Sequence, residues 1–209
     1  MNEYERVLIL KNLLISDLSF NDLLDESVKI HGHLCPGQVL GVRLSMLGLD
    51  KIGIHDPKGA DRKKLIVYVE IDRCATDAIQ SVTGCSPGKR SLKLKDYGKM
   101  AATFVNLETD RSVRVLAKED AKQRARNYFP EIEDKYKCQL EAYKIMPDEA
   151  LFDWKEVKVT VPEEDMPGRP RRRVACEKCG EYVQDSRDVH VDGKELCKAC
   201  AHGGYYEAL

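Results

Sequence analysis

The sequence predicts an α+β protein that carries a small second domain at its C-terminal end. Three observations support this prediction. Segments with helical apolar spacing alternate with short β-branched segments over most of the chain, a proline-rich stretch without apolar periodicity spans 162–173, and half of the eight cysteines follow it. We therefore expect a core domain over 1–161, a linker over 162–173 and a second domain over 174–209.

Length and charge limit the classes of protein that this chain could belong to. The 209 residues suit one sizeable core and one small appendage. The 34 basic and 35 acidic residues give a formal net charge of -1, so no overall field attracts nucleic acid or an anionic membrane. The apolar stretch VLILKNLLI near the start is interrupted by charge and lacks a cleavage site, which favours an amphipathic helix. We expect a cytoplasmic protein with no membrane contact, whose cysteines are thiols or metal ligands.

Helices are predicted first along the chain. Apolar residues recur at near-helical spacing over 4–19 and again over 21–30, where Ser19 or Asn21 suits the N-cap position. Pro36 suits the first position of a third helix. The buried face of that helix would consist of Val39, Val42, Leu44, Met46 and Leu47.

Strands follow the third helix. Four segments rich in β-branched residues predict strands: 64–71, 99–108, 111–118 and 155–161. The short connection between the second and third of these indicates a hairpin. A short helix over 72–84 closes at Gly84, and a helical region over 119–152 is broken at Pro130 and Pro147. We expect the N-terminal helices to pack on an antiparallel or mixed sheet.

The second domain has the cysteine spacing of a structural zinc site. Its cysteines form two C-x-x-C pairs: Cys176 with Cys179, and Cys197 with Cys200. The 17 residues between the pairs fall within the range typical of zinc ribbons and treble-clef fingers. So short a segment cannot bury enough apolar surface to fold alone, and one zinc ion per chain would supply the missing free energy. Because four thiolates complete a tetrahedral site, we interpret His190 and His202 as surface residues.

A basic cluster precedes the zinc-binding segment and leaves the partner of this domain open. Arg169, Arg171, Arg172 and Arg173 could contact phosphates, and Tyr205 and Tyr206 could stack on bases. Charge runs beside linkers are more commonly solvated, so nucleic-acid binding is not favoured. A partner protein is the other option.

The core domain contains a group of metal-ligating side chains. His31, His33 and Cys35 occupy alternate positions, which share a face if the segment is extended. Cys35 lies at the edge of the third predicted helix, where the macrodipole favours a thiolate. Cys74 begins a later helix. The sequence therefore predicts a second metal site from His31, His33, Cys35 and Cys74, which would hold a transition metal.

Four residues are candidates for catalysis: Cys35, His33, Cys85 and Asp77. Cys85 could face Cys35 as a redox dithiol if no metal lies between them. Asp77 and Gln80 share a helix face, so they either orient a ligand or form an exposed surface. Cys138 has no cysteine or histidine nearby and is expected to be a small buried hydrophobe.

Three motifs occur in a fixed order and resemble one known family. HGHLCPGQVLG, CATDAIQSVTGCSPGK and DYGKMAATF, followed by the two C-x-x-C pairs, are similar to the family of the formylmethanofuran dehydrogenase E-subunit. The resemblance covers about residues 20–155, and the cysteine-rich tail is similar to the zinc-finger extension of some members. It implies an α+β core with an antiparallel sheet, a homodimer, and a metal-binding cleft.

The resemblance also implies a role. The family is named for its association with a molybdenum or tungsten enzyme that fixes CO₂ as formylmethanofuran in methanogenesis. The family motif corresponds here to His31, His33, Cys35, Cys74, Asp77, Gln80, Thr83, Gly84, Cys85, Tyr97 and Lys99. We therefore expect a metal-dependent or thiol-dependent enzyme, or an accessory component of a larger oxidoreductase complex. The alternative is a zinc-finger module that recognises nucleic acid or a protein, with a core that only dimerises.

Overall fold

The computed structural model describes residues 19–169 and 171–207, which form two compact units that divide after Thr160. We call them the core unit and the finger unit. The helix predicted over 4–19 lies outside the described residues apart from its last position. Within the described ranges, no helix is both long enough and apolar enough to cross a membrane.

Two helices lead into the sheet of the core unit. Helix α1, Phe20–His31, begins with a capping box in which Ser19 and Asp22 satisfy each other's backbone N–H groups. It ends at Gly32, whose φ of 92° terminates the helix with a left-handed residue. Helix α2, Pro36–Ile52, starts at a proline as predicted, and Cys35 is its N-cap residue.

Helix α2 runs through Gly48 and continues for one further turn. A Cβ atom at Gly48 would overlap the ring of Phe104, so the missing side chain lets α2 lie directly on the sheet. Close approach to the sheet, rather than a break in the helix, explains this glycine. Leu44, Leu47 and Leu49 are buried along the same contact.

A five-stranded mixed sheet forms the centre of the core unit. Its strands are β1 Leu65–Val69, β2 Leu92–Leu94, β3 Ala101–Asn106, β4 Ser112–Ala117 and β5 Phe152–Glu156. The order across the sheet is β2-β1-β3-β4-β5; β1 and β2 are parallel and the other neighbours are antiparallel. The α+β prediction with a mixed sheet is confirmed. The predicted hairpin is β3–β4.

The last strand of the sheet lies earlier in the chain than predicted. Strand β5 ends at Glu156, which pairs with Val113, and the N–H of Val157 still donates to the carbonyl of Ser112. Because β4 begins at Ser112, no partner residue remains for 158–161. The β-branched run there does not make a strand without a neighbouring strand to bond to.

The remaining helices of the core unit are short. Helix α3, Cys74–Thr83, follows β1 and ends at Gly84 as predicted. After β4 come α4 Ala121–Arg124, a 3₁₀ turn Ala125–Asn127, α5 Lys135–Ile145 and α6 Asp148–Leu151. One sheet face, which includes Leu65, Val67, Phe104 and Val115, belongs to the same apolar cluster as the buried residues of α2 and α3.

The finger unit consists of short elements. A 3₁₀ turn, Glu163–Asp165, precedes two hairpins and a helix: β6 Arg173–Ala175 with β7 Tyr182–Gln184, β8 Val189–Val191 with β9 Lys194–Leu196, and α7 Lys198–His202. Gly180, with φ of 77°, turns the chain after the first cysteine pair. Cys197 is the N-cap residue of α7, so the second pair lies at the start of a helix, as in a zinc finger.

Candidate metal centres

The four cysteines of the finger unit lie in one cluster. All four Sγ atoms are within 4.8 Å of one another, and those of Cys179 and Cys197 are 4.0 Å apart. Tetrahedral zinc with Zn–S bonds of about 2.3 Å separates its sulfurs by about 3.8 Å. The donor set and its dimensions therefore fit a structural zinc ion, as the sequence predicts.

The finger thiols have opposed pKa shifts because they crowd one another. Backbone N–H groups, those of Cys197 and Cys179 first, lower the pKa of Cys176 to about 6. The neighbouring thiol of Cys197 and burial raise the pKa of Cys200 to about 12. Four thiolates cannot coexist in this space without a cation between them.

The core unit contains a second cluster, of three ligands, contributed by three helices. His31 is the last residue of α1, Cys35 is the N-cap residue of α2, and Cys74 is the first residue of α3. Their ligand atoms all lie within 4.8 Å of one another, and His31 Nε2 is 4.0 Å from Cys35 Sγ. A tetrahedral zinc ion places nitrogen and sulfur ligands about 3.6 Å apart. The three side chains therefore fit one metal ion and leave its fourth position open.

Two glycines of α2 let the start of α3 approach the start of α2. A Cβ atom at Gly41 would lie 2.6 Å from the carbonyl oxygen of Ala75 and from the Cβ of Ala78. A Cβ atom at Gly37 would lie 2.8 Å from the Cβ of Cys74. Because both side chains are absent, the two helix N-termini meet, and Cys35 and Cys74 come together although 38 residues separate them in sequence.

Asp77 orients the histidine of the core centre. It lies on the first turn of α3, and its Oδ2 accepts a hydrogen bond of 2.8 Å from Nδ1 of His31. A proton held on Nδ1 leaves the Nε2 lone pair free, on the side where the Cys35 thiol lies. This carboxylate–histidine pair is the arrangement that usually fixes a metal-binding imidazole.

Burial and a neighbouring thiol both affect Cys74. Partial burial, followed by the adjacent Cys35 thiol, raises the pKa of Cys74. Two thiolates so close together repel each other, and a cation between them would remove that repulsion. The electrostatics of the core centre therefore favour a bound metal ion over two free thiolates.

His33 lies outside the three-ligand cluster. The prediction placed His31, His33 and Cys35 on one face of an extended segment, but His31 is helical and Gly32 is left-handed, so the alternation is lost. The ring of His33 is exposed and its centroid lies 4.5 Å from that of His31. His33 is thus beside the centre, and no ligand atom of it is among the clustered ones.

Cys85 is not near Cys35. It follows the far end of α3, a helix of 10 residues and therefore about 15 Å long, whose first residue is Cys74. Cys85 is 3 % exposed, and burial raises the pKa of its thiol. The thiol that faces Cys35 is Cys74, so the expected Cys35–Cys85 dithiol is not what the fold brings together.

Other residues singled out in the sequence have simpler positions. Tyr97 is exposed on the loop before β3, where its N–H donates to the carbonyl of Glu70, and the Nζ of Lys99 lies 6.0 Å from its ring centroid. Gln80 is half-buried on α3. Cys138 is buried in the apolar core, as expected, and its Sγ donates to the carbonyl of Phe129.

The basic cluster of the finger unit is largely bound by that unit's own side chains. Arg172 forms ion pairs with Asp188, at 3.1 Å, and with Glu195. The guanidinium of Arg173 lies 4.3 Å from the ring centroid of Tyr182. Arg171 pairs with the carboxylate of Glu163. These contacts neutralise charge that phosphates would otherwise attract.

A further group of metal-ligating residues in the finger unit is explained by the same ion pairs. Asp188, His190 and Glu195 lie close enough together to suggest a cation site. The guanidinium of Arg172 binds both carboxylates, and His190 Nε2 lies 3.3 Å from Asp188 Oδ2. An arginine therefore already provides the positive charge at this position.

Comparisons with known proteins agree with this division of the chain. The family model described as FmdE, molybdenum formylmethanofuran dehydrogenase operon, matches residues 30–153, which include every ligand of the core centre. The model of the prokaryotic dksA/traR C4-type zinc finger matches residues 169–206, which include all four finger cysteines.

One relative and one solved structure extend the comparison. A probable S-adenosyl-L-methionine-binding protein of Archaeoglobus fulgidus is 32% identical over 206 residues, covering 90% of this chain and 54% of the relative. The chain thus spans about half the length of that relative. The crystal structure of an FmdE-like protein of tungsten formylmethanofuran dehydrogenase, from Syntrophus aciditrophicus, superimposes with a TM-score of 0.62 at 22% identity, covering 92% of this chain and 97% of that one. This likeness establishes the fold.

Proposed function

This chain belongs to the FmdE family, and on that premise we propose that its core unit binds a catalytic-type transition metal through His31, Cys35 and Cys74. The observation that carries the proposal is the convergence of these three ligand atoms within 4.8 Å. Catalytic zinc sites use three protein ligands and keep a fourth position for water or substrate, and two cysteines with one histidine is a known set. The finger site, with four cysteines, is closed and structural.

The residues around the core centre have separable tasks. Asp77 holds the Nδ1 proton of His31 and so presents Nε2 to the metal position. The N-terminal ends of α2 and α3 direct backbone N–H groups toward Cys35 and Cys74, which stabilises thiolates. A zinc ion in this ligand set would supply Lewis-acid chemistry at its open position. His33, exposed beside His31, is our candidate for exchanging protons there.

The proposed biological role follows from the family. We assign the chain to molybdenum- or tungsten-dependent formylmethanofuran metabolism, a methanogenesis-type one-carbon pathway, as an accessory component or a metal- or thiol-dependent oxidoreductase component. The description of the matching family model supports this role. We also propose a homodimer that joins a larger enzyme complex, because Ile30 and Leu34, both exposed apolar residues, lie next to ligands of the core centre.

S-adenosyl-L-methionine binding is not part of the proposal. The Archaeoglobus relative carries that description, but this chain corresponds to 54% of the relative's length. The remainder of that protein is large enough to contain a binding domain of its own.

The second candidate function is a binding module, in which the finger unit recognises a partner and the core only dimerises. The exposed side chains of Tyr205 and Tyr206 favour a protein partner over nucleic acid, because aromatic residues are common in protein interfaces. The ion pairs of the arginine cluster point the same way. A nucleic-acid complex that dissociates steeply with salt would contradict this preference.

The metal content of the purified protein distinguishes the two candidates. After anaerobic reconstitution with zinc, we expect elemental analysis to find two metal ions per chain in the wild type and one in Cys35→Ser. Cys85→Ser is the matched control, since it makes the same chemical change outside the cluster and should retain both ions. A wild type with one zinc ion per chain, unchanged by Cys35→Ser, would contradict the core centre and favour the binding module.

A further inference from the structure

A buried hydrogen-bond network lies behind the core centre. Gln38, on α2, and Ser27, on α1, are both fully buried. The hydroxyl of Ser27 donates to Oε1 of Gln38, and Nε2 of Gln38 donates to the carbonyl oxygen of Cys74 at 2.5 Å. The network therefore joins α1, α2 and α3, the three helices that supply the ligands.

Each member of this network lies within one helical turn of a ligand. Ser27 precedes His31 by four residues, so the two share a face of α1. Gln38 follows Cys35 by three residues on the first turn of α2. The third member is the backbone of Cys74 itself. A displacement of any one helix along the others would break a hydrogen bond of the network before it separated the ligands widely.

We propose that Gln38 is the positioning residue of the core centre, setting the separation of the Cys35 and Cys74 sulfurs and thereby the metal affinity of the site. This inference rests on the proposed function. The contact of α3 with α2 at this point is formed by Gly37 and Gly41, which offer no side chain to fix the position of one helix along the other. The bond from Gln38 to the Cys74 carbonyl supplies that constraint.

The amide group is suited to this task because its two ends differ. Its oxygen accepts from Ser27 and its nitrogen donates to a carbonyl. A glutamate would place a carboxylate oxygen against the carbonyl of Cys74 and add a buried charge. A methionine has similar volume and flexibility, but it can form neither bond.

The test measures Co²⁺ binding to the core of full-length protein whose finger is loaded with zinc. Thiolate-to-cobalt absorption is titrated against a competing chelator. For Gln38→Met we expect an affinity about 10- to 100-fold lower than that of the wild type, the range seen when a group that orients a ligand is lost. Ser27→Ala, which keeps the glutamine packed, should show a smaller loss and serves as the test if Gln38→Met does not fold.

Ser45→Ala is the matched control. Ser45 is also fully buried on α2, but its hydroxyl donates within the helix to the carbonyl of Gly41 at 2.7 Å and contacts no ligand. A variant that only loses stability should behave like Ser45→Ala, with a lower melting temperature and unchanged Co²⁺ affinity. Wild-type affinity in folded Gln38→Met would overturn the inference.

A second readout separates this inference from the proposed function. If the wild-type core binds no Co²⁺, the metal centre is wrong, and the spacing of Cys35 and Cys74 is then measured with a trivalent arsenical, which bridges two neighbouring thiols. We expect fast bridging in the wild type and in Ser45→Ala, and at least tenfold slower bridging in Gln38→Met. Equal rates in all three would overturn the positioning role of Gln38.

Discussion

The finger centre and the core centre both collect cysteines, but they differ in how the chain brings the ligands together. The finger centre takes four ligands from Cys176 to Cys200, each pair held in one local turn. The core centre takes His31 and Cys35 from one helix junction and Cys74 from the start of α3, beyond strand β1. In the finger the metal organises the polypeptide, whereas in the core the packed helices organise the ligands.

Burial shows the same contrast. Among the described residues of the finger unit, only Cys176 and Leu196 are buried apolar residues. The core unit has an apolar cluster that runs through α1, α2, α3 and the sheet. A unit without an apolar core depends on its metal for folding, while the core unit has enough buried surface to fold without one.

Removing the finger zinc should give the largest effect. In Cys197→Ser we expect the finger unit to unfold, because structural zinc contributes on the order of 10 kcal/mol to such domains. Amide hydrogen exchange would show loss of protection over 174–207, while the melting of the core unit stays unchanged. Cys138→Ser, which changes a buried cysteine of the core, should leave the finger protected. Protection that survives in Cys197→Ser would show that the two units do not differ in this way.

Removing the carboxylate that orients His31 should give an intermediate effect, confined to the core. For Asp77→Ala we expect the metal affinity of the core centre to fall about 10- to 100-fold, equivalent to about 1.4–2.7 kcal/mol, with the finger zinc retained. Competition with a chromophoric chelator measures both sites separately. Asp72→Ala removes an exposed carboxylate just before α3 and should change neither. Equal affinities in the two variants would remove Asp77 from the centre.

Removing an arginine of the basic cluster should give the smallest effect, and it should fall on the finger. Arg172→Ala breaks two ion pairs of a half-exposed side chain, so we expect the finger to lose about 1 kcal/mol of stability. Arg169→Ala should cost less than about 0.5 kcal/mol, as for most surface changes. Chelator-induced unfolding measures both. An unchanged finger in Arg172→Ala, together with loss of a salt-sensitive complex with nucleic acid, would assign the cluster to binding instead.

The contrast also explains what the sequence could predict. Local spacing identifies the finger ligands, and local signals likewise identify the N-cap Ser19, the helix start Pro36 and the helix end Gly84. The β-branched runs predict β1, β3 and β4. Each of these depends on residues within a few positions of one another, so no tertiary information is needed.

Features that depend on packing could not be predicted in the same way. Strand β2 has three residues and is defined by its parallel pairing with β1. The hydrogen bond of Asp77 with His31 spans 46 residues, and no spacing rule indicates it. For Gln38 the sequence offers one signal, a polar residue beside the predicted apolar face of α2, which does not by itself indicate a partner. The position of Cys85 depends on which end of α3 approaches α2.

A metal-edge anomalous diffraction map of zinc-reconstituted crystals tests the two-centre account most directly. The account predicts two peaks per chain: one surrounded by the four finger sulfurs, and one in contact with His31 Nε2 and with the sulfurs of Cys35 and Cys74. A single peak in the finger, with the core thiols unliganded in fully reconstituted protein, would contradict the open metal centre.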